Sequence, residues 1–262
     1  MRVLICTYGR SDRQATWGSL PESIRQNTQL VVQDREKHLY PQYPTVVLPP
    51  GVEGIEPTRQ WIVSHLPHLK VIMLDDDLVF YKRRIDDPTK FESATPVQIE
   101  DLFYSMEERL NEFAMVGVAP REGANRNTEA YQFNTRLMRM LGFRLDVLTS
   151  EGIRFDLLPV MEDFCATLQL LTKGYDNLML NNWCHNQFGS NTSGGCSTFR
   201  TPEIQRAAAE GLARMFPEFV TVVKKTTKTA WGGGERSDVR VAWKQARASS
   251  LDNRKVRRPS EA

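Results

Sequence analysis

The run Val71-Ile72-Met73-Leu74-Asp75-Asp76-Asp77-Leu78-Val79-Phe80 constrains this chain more than any other stretch. Its apolar opening, led by β-branched residues, has the character of a strand covered on both faces of a sheet. A half-exposed strand would alternate apolar with polar side chains instead. Three consecutive carboxylates then fall at the strand end. They repel one another and lose hydration together if buried, so the segment requires either open water or cations beside it. Alternation along an extended chain puts Asp75 and Asp77 on one side, where a hard divalent cation can meet one or both. A solvated acidic turn satisfies the same pattern, so the run marks a place without by itself fixing a chemistry.

The flanking sequence gives that place a frame. Arg2–Cys6, 29–32 and Thr45–Leu48 read as short strands, the last bounded by Pro44 and Pro49-Pro50. One helix is expected over 14–26 and another over 56–65, the second with Pro57 in its first turn and Trp61, Ile62 and Leu66 on one face. Strands alternating with helices predict an α/β chain on a mixed, mainly parallel, Rossmann-like sheet flanked by helices. Ligands of such sheets lie beyond the carboxyl ends of the strands, where Thr7-Tyr8-Gly9-Arg10, Asp34 and Asp75-Asp76-Asp77 all fall. Further along, a helix is expected over about 96–111, strands over 115–118, 131–140, 145–148 and 178–180, and a helix over 162–173 stopped by Gly174. Residues 189–195 read as a mobile loop and 201–215 as a helix. Strand-like 220–223 and 239–243 flank Trp231-Gly232-Gly233-Gly234, a potential lid hinge.

Length and charge narrow the class. The 262 residues suffice for one large α/β domain with a small appendage. No apolar run is long enough to span a bilayer, and Met1-Arg2 leads directly into a strand, so a cytoplasmic protein is expected. Cys6, Cys165, Cys184 and Cys196 are scattered without a Cys-x-x-Cys pair, which favours reduced structural thiols over a disulfide frame or zinc site. The formal charge of +2 conceals an asymmetry: from Lys224 onward eleven Lys and Arg face four acids, which leaves the rest of the chain at about −5. A basic end on a mildly acidic body suits a polyanionic partner such as nucleic acid, although a solubilising tail explains 253–262 equally well. A division near residue 220 is therefore expected, with a basic segment over 221–262 whose tail from about 250 is flexible.

Four features stand in order: the polar loop Thr7-Tyr8-Gly9-Arg10 after the first strand, Asp34 after the second, the Asp75–Asp77 pair, and Glu162-Asp163 opening a late helix, with His185 to follow. Together with Thr58-Arg59-Gln60, Met161-Glu162-Asp163-Phe164 and Lys173-Gly174-Tyr175, this order resembles the GT-A fold of nucleotide-sugar-dependent glycosyltransferases from Arg2 to about His185. The resemblance implies a UDP-sugar donor and Mn²⁺ or Mg²⁺, with 1–118 binding the nucleotide sugar and 119–220 supplying acceptor and catalytic groups. It implies that Thr7, Tyr8, Gly9 and Arg10 approach the nucleotide, that Asp34 meets the base, and that Arg59 meets the diphosphate or base. Asp75 and Asp76 would touch the ribose or the metal shell. Asp77, with Asp75 and the late His185, would ligate the ion. Asp163 would be the general base of an inverting transfer, with Glu162 beside it. Helix N-terminal charge compensation is the structural alternative for Glu162-Asp163.

Among such enzymes, a compact chain with a basic end is similar to the phage TET-associated glycosyltransferases that act on 5-hydroxymethylcytosine in double-stranded DNA. That resemblance implies DNA phosphate contacts by Arg121, Arg126 and Arg136 and by Lys224, Lys225, Lys228, Arg236 and Arg240. Three other classes fit parts of the pattern: a transferase acting on a glycan, lipid or protein; a non-catalytic nucleic-acid binder on a transferase scaffold; and a metal-dependent nucleotidyltransferase.

Overall fold

The computed structural model describes residues 1–187, 200–227 and 234–252. The loop at 189–195, the hinge at 231–233, Cys196, Lys228 and the tail 253–262 lie outside the described residues. In the first half, β1 (Arg2–Cys6) leads through α1 (Ala15–Ser19) and α2 (Glu22–Arg25) to β2 (Thr28–Gln33). A 3₁₀ turn over Asp34–Leu39 then precedes β3 (Thr45–Leu48), and α3 (Ile55–His65) crosses to β4 (Lys70–Asp75). These four strands are parallel in the order β3-β2-β1-β4. The helix expected over 14–26 is broken in two at Pro21. Leu20, immediately before the proline, is forced to the extended region (ψ 137°), which ends α1, and Pro21 opens α2.

Leu78-Val79-Phe80 do not continue the acidic strand. The chain turns at Asp76-Asp77, and β5 (Leu78–Arg83) departs to another part of the sheet, followed by β6 (Phe91–Ser93). α4 (Pro96–Arg109) starts on a capping box, Thr95 accepting from the Gln98 amide and Gln98 returning the bond. There follow β7 (Met115–Pro120), α5 (Arg121–Ala124), β8 (Tyr131–Phe133), β9 (Met140–Arg144), α6 (Leu145–Ser150), α7 (Glu162–Thr172) and β10 (Asn177–Gln187). Two of these depart from expectation. Residues 145–148 are helical, since a four-residue apolar run has no period that separates strand from helix, and Leu145 and Leu148 bury one turn apart. The strand expected over 131–140 is only three residues long before the chain leaves the sheet at Asn134.

Among the described residues the main sheet has ten strands, ordered β3-β2-β1-β4-β9-β7-β10-β5-β6 with β8 on β10. It is mixed and mainly parallel. β9 runs antiparallel between β4 and β7, and β5 antiparallel to β10. One face packs Leu4, Met73, Met115 and Phe143 against α3, α6 and α7; the other packs Ile5, Ile72 and Val116 against Leu102, Phe103 and Met106 of α4. The chain ends in α8 (Pro202–Met215), the hairpin β11 (Val220–Thr227) with β12 (Gly234–Val241), and α9 (Trp243–Asp252). Their apolar residues Leu212, Val220, Val239 and Ala246 form a third core with Phe164, Cys165 and Leu168 of α7. Helix α7 is thus covered both by the sheet and by the C-terminal unit.

Candidate active site

The loop after β1 and the turn after β4 meet because β1 and β4 are neighbours in register, Cys6 opposite Asp75. Thr7 Oγ1 donates to Asp76 Oδ2 at 2.6 Å and accepts from Gln14 Nε2 at 2.9 Å. Arg10 Nη1 bonds Asp76 Oδ1 at 2.6 Å and Asp77 Oδ2 at 3.0 Å. Thr16 holds the turn from the other side: its hydroxyl donates to the Asp75 carbonyl at 2.6 Å and accepts from the Leu78 amide at 2.8 Å. Gly9, with φ 65°, turns its amide onto the Glu36 carboxylate at 3.0 Å. Tyr8 receives a hydrogen bond from Arg35 at 2.8 Å, and Asp34, at the end of β2, pairs with Lys37 at 2.9 Å.

Arg59 joins this cluster to α7. Its guanidinium, 3% exposed, meets Glu162 Oε1 at 2.7 Å and Asp75 Oδ1 at 3.4 Å. The acidic turn and the opening of α7 are therefore neighbours, joined through Arg59. Both end nitrogens of Arg59 are turned to carboxylates of the protein, a different set of partners from a donor diphosphate. Burial pushes the Asp75 carboxyl up to about 7, opposed by Arg59 and by water at the 30% of its side chain that stays exposed. Burial likewise raises Asp76 and Glu162 above the usual carboxylate range.

Met161 opens α7 in the left-handed region (φ 67°), a conformation costly for a side chain with a Cβ and concentrated at functional sites. It sets Glu162 and Asp163 in the first turn, where the helix dipole favours their charge. Asp163 Oδ2 accepts from Arg136 Nη2 at 3.3 Å, and the Arg136 guanidinium lies 4.0 Å from the centre of the Phe164 ring. Arg139, left-handed at φ 64°, immediately precedes β9, and its carbonyl accepts from the Asp75 amide at 2.9 Å.

The expected ligands do not assemble as a set. His185 is fully buried in β10 opposite Phe80, and burial, then the charge of Arg139, pushes its ring down to about 3. Gln187, two residues on and on the same side of the strand, stands beside Asp77 with Nε2 at 3.4 Å. Among the described residues no three His, Cys, Asp or Glu side chains lie close enough together to hold a metal ion. Asp75 and Asp77 are of the oxygen-donor type that a hard cation such as Mg²⁺ takes, and here Asp77 Oδ2 meets Arg10 at 3.0 Å and Asp75 Oδ1 meets Arg59 at 3.4 Å.

The basic residues separate into groups. Arg121 lies over the Phe91 ring at 5.2 Å, Arg126 is exposed on the following loop, and Arg136 belongs to Asp163. On the hairpin, Lys224 pairs with Glu235 at 2.7 Å, Lys225 with Asp238 at 2.8 Å and Arg236 with Asp238 at 3.3 Å, while Arg240 is exposed. No helix of the described residues is long and apolar enough to cross a membrane. Sequence reasoning missed Gln14, Thr16, Glu36 and Gln187, all polar residues in ordinary contexts. Thr16 is the one buried residue of a short, mostly half-buried helix, and nothing in the sequence sets it apart from its neighbours.

Known proteins resemble this chain in sequence and in fold. The sequence is 28% identical to the beta-glucosyl-HMC-alpha-glucosyl-transferase of Enterobacteria phage T6 over 66% of this chain and 65% of that protein, so it spans just under two thirds of that relative. It is 27% identical to the phage T2 protein of the same name, over 72% of each. The fold is similar to S. aureus TarS 1-349 in complex with UDP-GlcNAc, with TM-score 0.52 and 12% identity over 81% of this chain and 67% of that one. The TET-Associated Glycosyltransferase model matches residues 1–194, and the chain belongs to that family.

Proposed function

We propose that this protein transfers a sugar from a UDP-sugar to the hydroxymethyl group of 5-hydroxymethylcytosine in double-stranded DNA, by inversion, with Asp163 as general base. The observation that carries the proposal is the buried Arg59, which ties the Asp75 turn to the opening of α7 beside Asp163, and the donor cleft is placed there. Family membership, the HMC in the names of the phage T6 and T2 relatives and the UDP-GlcNAc bound to TarS support the donor and acceptor classes.

In this cleft the loop of Thr7 to Arg10 faces the nucleotide, and Asp34 lies at the far end of β2 for the base. A bound Mn²⁺ or Mg²⁺ on Asp77 and Asp75 would offset the charge that develops on the departing diphosphate. Arg10 and Arg139 add fixed positive charge on the same side. The acceptor hydroxyl loses its proton to Asp163 as it attacks, and Arg136 holds that carboxylate in one orientation. The base must leave the helix stack or present its hydroxymethyl in the major groove to reach it. Arg121 and Arg126 flank the cleft for the DNA backbone, and Lys224, Lys225, Arg236 and Arg240 extend the basic surface along the hairpin. Lys228, in the same proposed set, lies outside the described residues.

Incubating the protein with UDP-sugars and duplexes carrying cytosine or 5-hydroxymethylcytosine, with mass detection, tests the function. Transfer confined to the modified duplex is expected, and its absence with every UDP-sugar would reject the proposal. Asp163→Asn should lower kcat by about 10² to 10⁴ while UDP binding persists. Chelation of divalent ions should abolish transfer and added Mn²⁺ restore it; full activity in chelator removes the metal from the scheme. The names of both phage relatives favour a second reading, in which the acceptor is a glucose already on the modified base. A duplex carrying glucosylated hydroxymethylcytosine, assayed beside the first, decides between them.

A further inference from the structure

The C-terminal unit lies beyond residues 1–194, yet it reaches Asp163 by two routes. Trp243, the first residue of α9, packs on the Phe164 ring with centroids 5.6 Å apart and planes at 34°. Phe164 also carries the Arg136 guanidinium, and Arg136 bonds Asp163. One turn along α9, Arg247 forms an ion pair with Asp176, Nε to Oδ1 at 2.9 Å. Asp176 accepts from Asn134 Nδ2 at 2.8 Å, and the neighbouring Asn177 side chain bonds both the amide and the carbonyl of Thr135. Asn134 and Thr135 immediately precede Arg136. The helix thus fixes the arginine through the ring beneath its head and through the backbone that carries it.

We propose that α9 is a brace that positions Arg136 against Asp163, with Trp243 and Arg247 as positioning residues for the transfer reaction. The proposal rests on Asp163 acting as the base. An arginine–carboxylate pair with a 39% exposed arginine has little power to hold its own geometry, because a long side chain loses rotamer freedom in forming it. Seating the guanidinium on a ring that is itself packed, and anchoring its backbone, removes most of that cost beforehand.

The test measures kcat and the KM for UDP-sugar in the full-length chain for wild type, Trp243→Ala, Trp243→Phe, Arg136→Gln and the Trp243→Ala/Arg136→Gln double variant, with melting curves in parallel. Trp243→Ala should lower kcat about ten- to a hundredfold with donor KM within about twofold of wild type, since misalignment by an ångström has that order of effect. Trp243→Phe should recover most of the loss. In the Arg136→Gln background Trp243→Ala should cost little more, because the coupled interaction is already gone. Additive losses in the double variant, or a fall that merely follows the folded fraction, would overturn the brace. Should Trp243→Ala fail to fold, Arg247→Gln is read by the same comparison with Arg136→Gln. A wild type that releases UDP in water but does not modify DNA refutes the acceptor assignment alone. The same ratios are then taken on donor hydrolysis.

Discussion

Arg59 and Glu56 sit on one helix, four-fifths of a turn apart, and show opposite answers to burial. Arg59 is buried with two carboxylates to meet it, so its charge is retained and stabilised. Glu56, 5% exposed, has Glu162 nearby, and burial pushes its carboxyl up to about 7 despite the opposing charges of Arg59 and Arg200. The folded protein therefore holds a proton on Glu56 that the unfolded chain releases near its usual 4.5. Stability contributed by that proton is complete below about pH 4.5 and is lost as pH rises through about 7. Glu56→Gln should thus be close to neutral at pH 4.5 and more stable than wild type by about 1–3 kcal/mol at pH 8 in urea unfolding. Equal midpoint shifts at both pH values would show that Glu56 binds its proton no more tightly in the folded protein than in the unfolded chain. At this scale the carboxylates of the site were legible, because Asp75-Asp76-Asp77 and Glu162-Asp163 stand in runs. Their partners were not: Arg10 and Arg59 lie 66 and 16 positions from the aspartates they meet, and only the register of β1 on β4 brings the first pair together.

The strand β7 shows how an element far from the chemistry governs the site. Gly117 lies in its centre, and a Cβ there would come within 3.0–3.2 Å of three atoms of Leu137, itself fully buried. Leu137 follows Arg136, so the close approach seats the segment that delivers Arg136 to Asp163. Gly117→Ala should cost about 1–3 kcal/mol through overpacking, read as a lower unfolding midpoint, and should lower kcat more than it raises the donor KM. Unchanged stability would mean that Leu137 moves aside freely. The periods of α3, α7 and α8 were visible in the sequence, since each helix is long enough for its pattern to repeat, and the parallel strands of the first half were visible as β-branched runs between loop residues. The short pieces were not. Residues 145–148 are too few to display a period, and the pairing of Leu78-Val79-Phe80 with the distant β10 leaves no local signal. Gln187 stands beside Asp77 because the same pairing sets Gln187 opposite Leu78 and His185 opposite Phe80, two register positions further from the turn.

Across the whole molecule the charge asymmetry read from the sequence survives only in part as a surface. Three of the hairpin cations, Lys224, Lys225 and Arg236, are paired with Glu235 and Asp238, so the hairpin presents a smaller net field than its count of basic residues implies. The Lys224–Glu235 pair is exposed on both sides and holds weakly, whereas Lys225 and Arg236 share the buried Asp238; a phosphate is a more highly charged partner than the carboxylate it replaces. Binding of DNA across this face would therefore exchange protein–protein pairs for protein–phosphate pairs and release counterions from the duplex. Each phosphate neutralised contributes about −0.9 to the slope of log K against log salt. Replacing Lys224, Lys225 and Arg240 with Gln should reduce the magnitude of that slope by about 2–3 in anisotropy titrations of a hydroxymethylated duplex. The freed Glu235 would itself repel the backbone, so affinity at low salt should fall further than the slope alone requires. Donor KM should be unchanged, because the Arg59 cluster belongs to the main sheet and these side chains to the second. A triple variant with the wild-type slope would remove the hairpin from the DNA-binding surface and leave that role to Arg121 and Arg126 around the cleft.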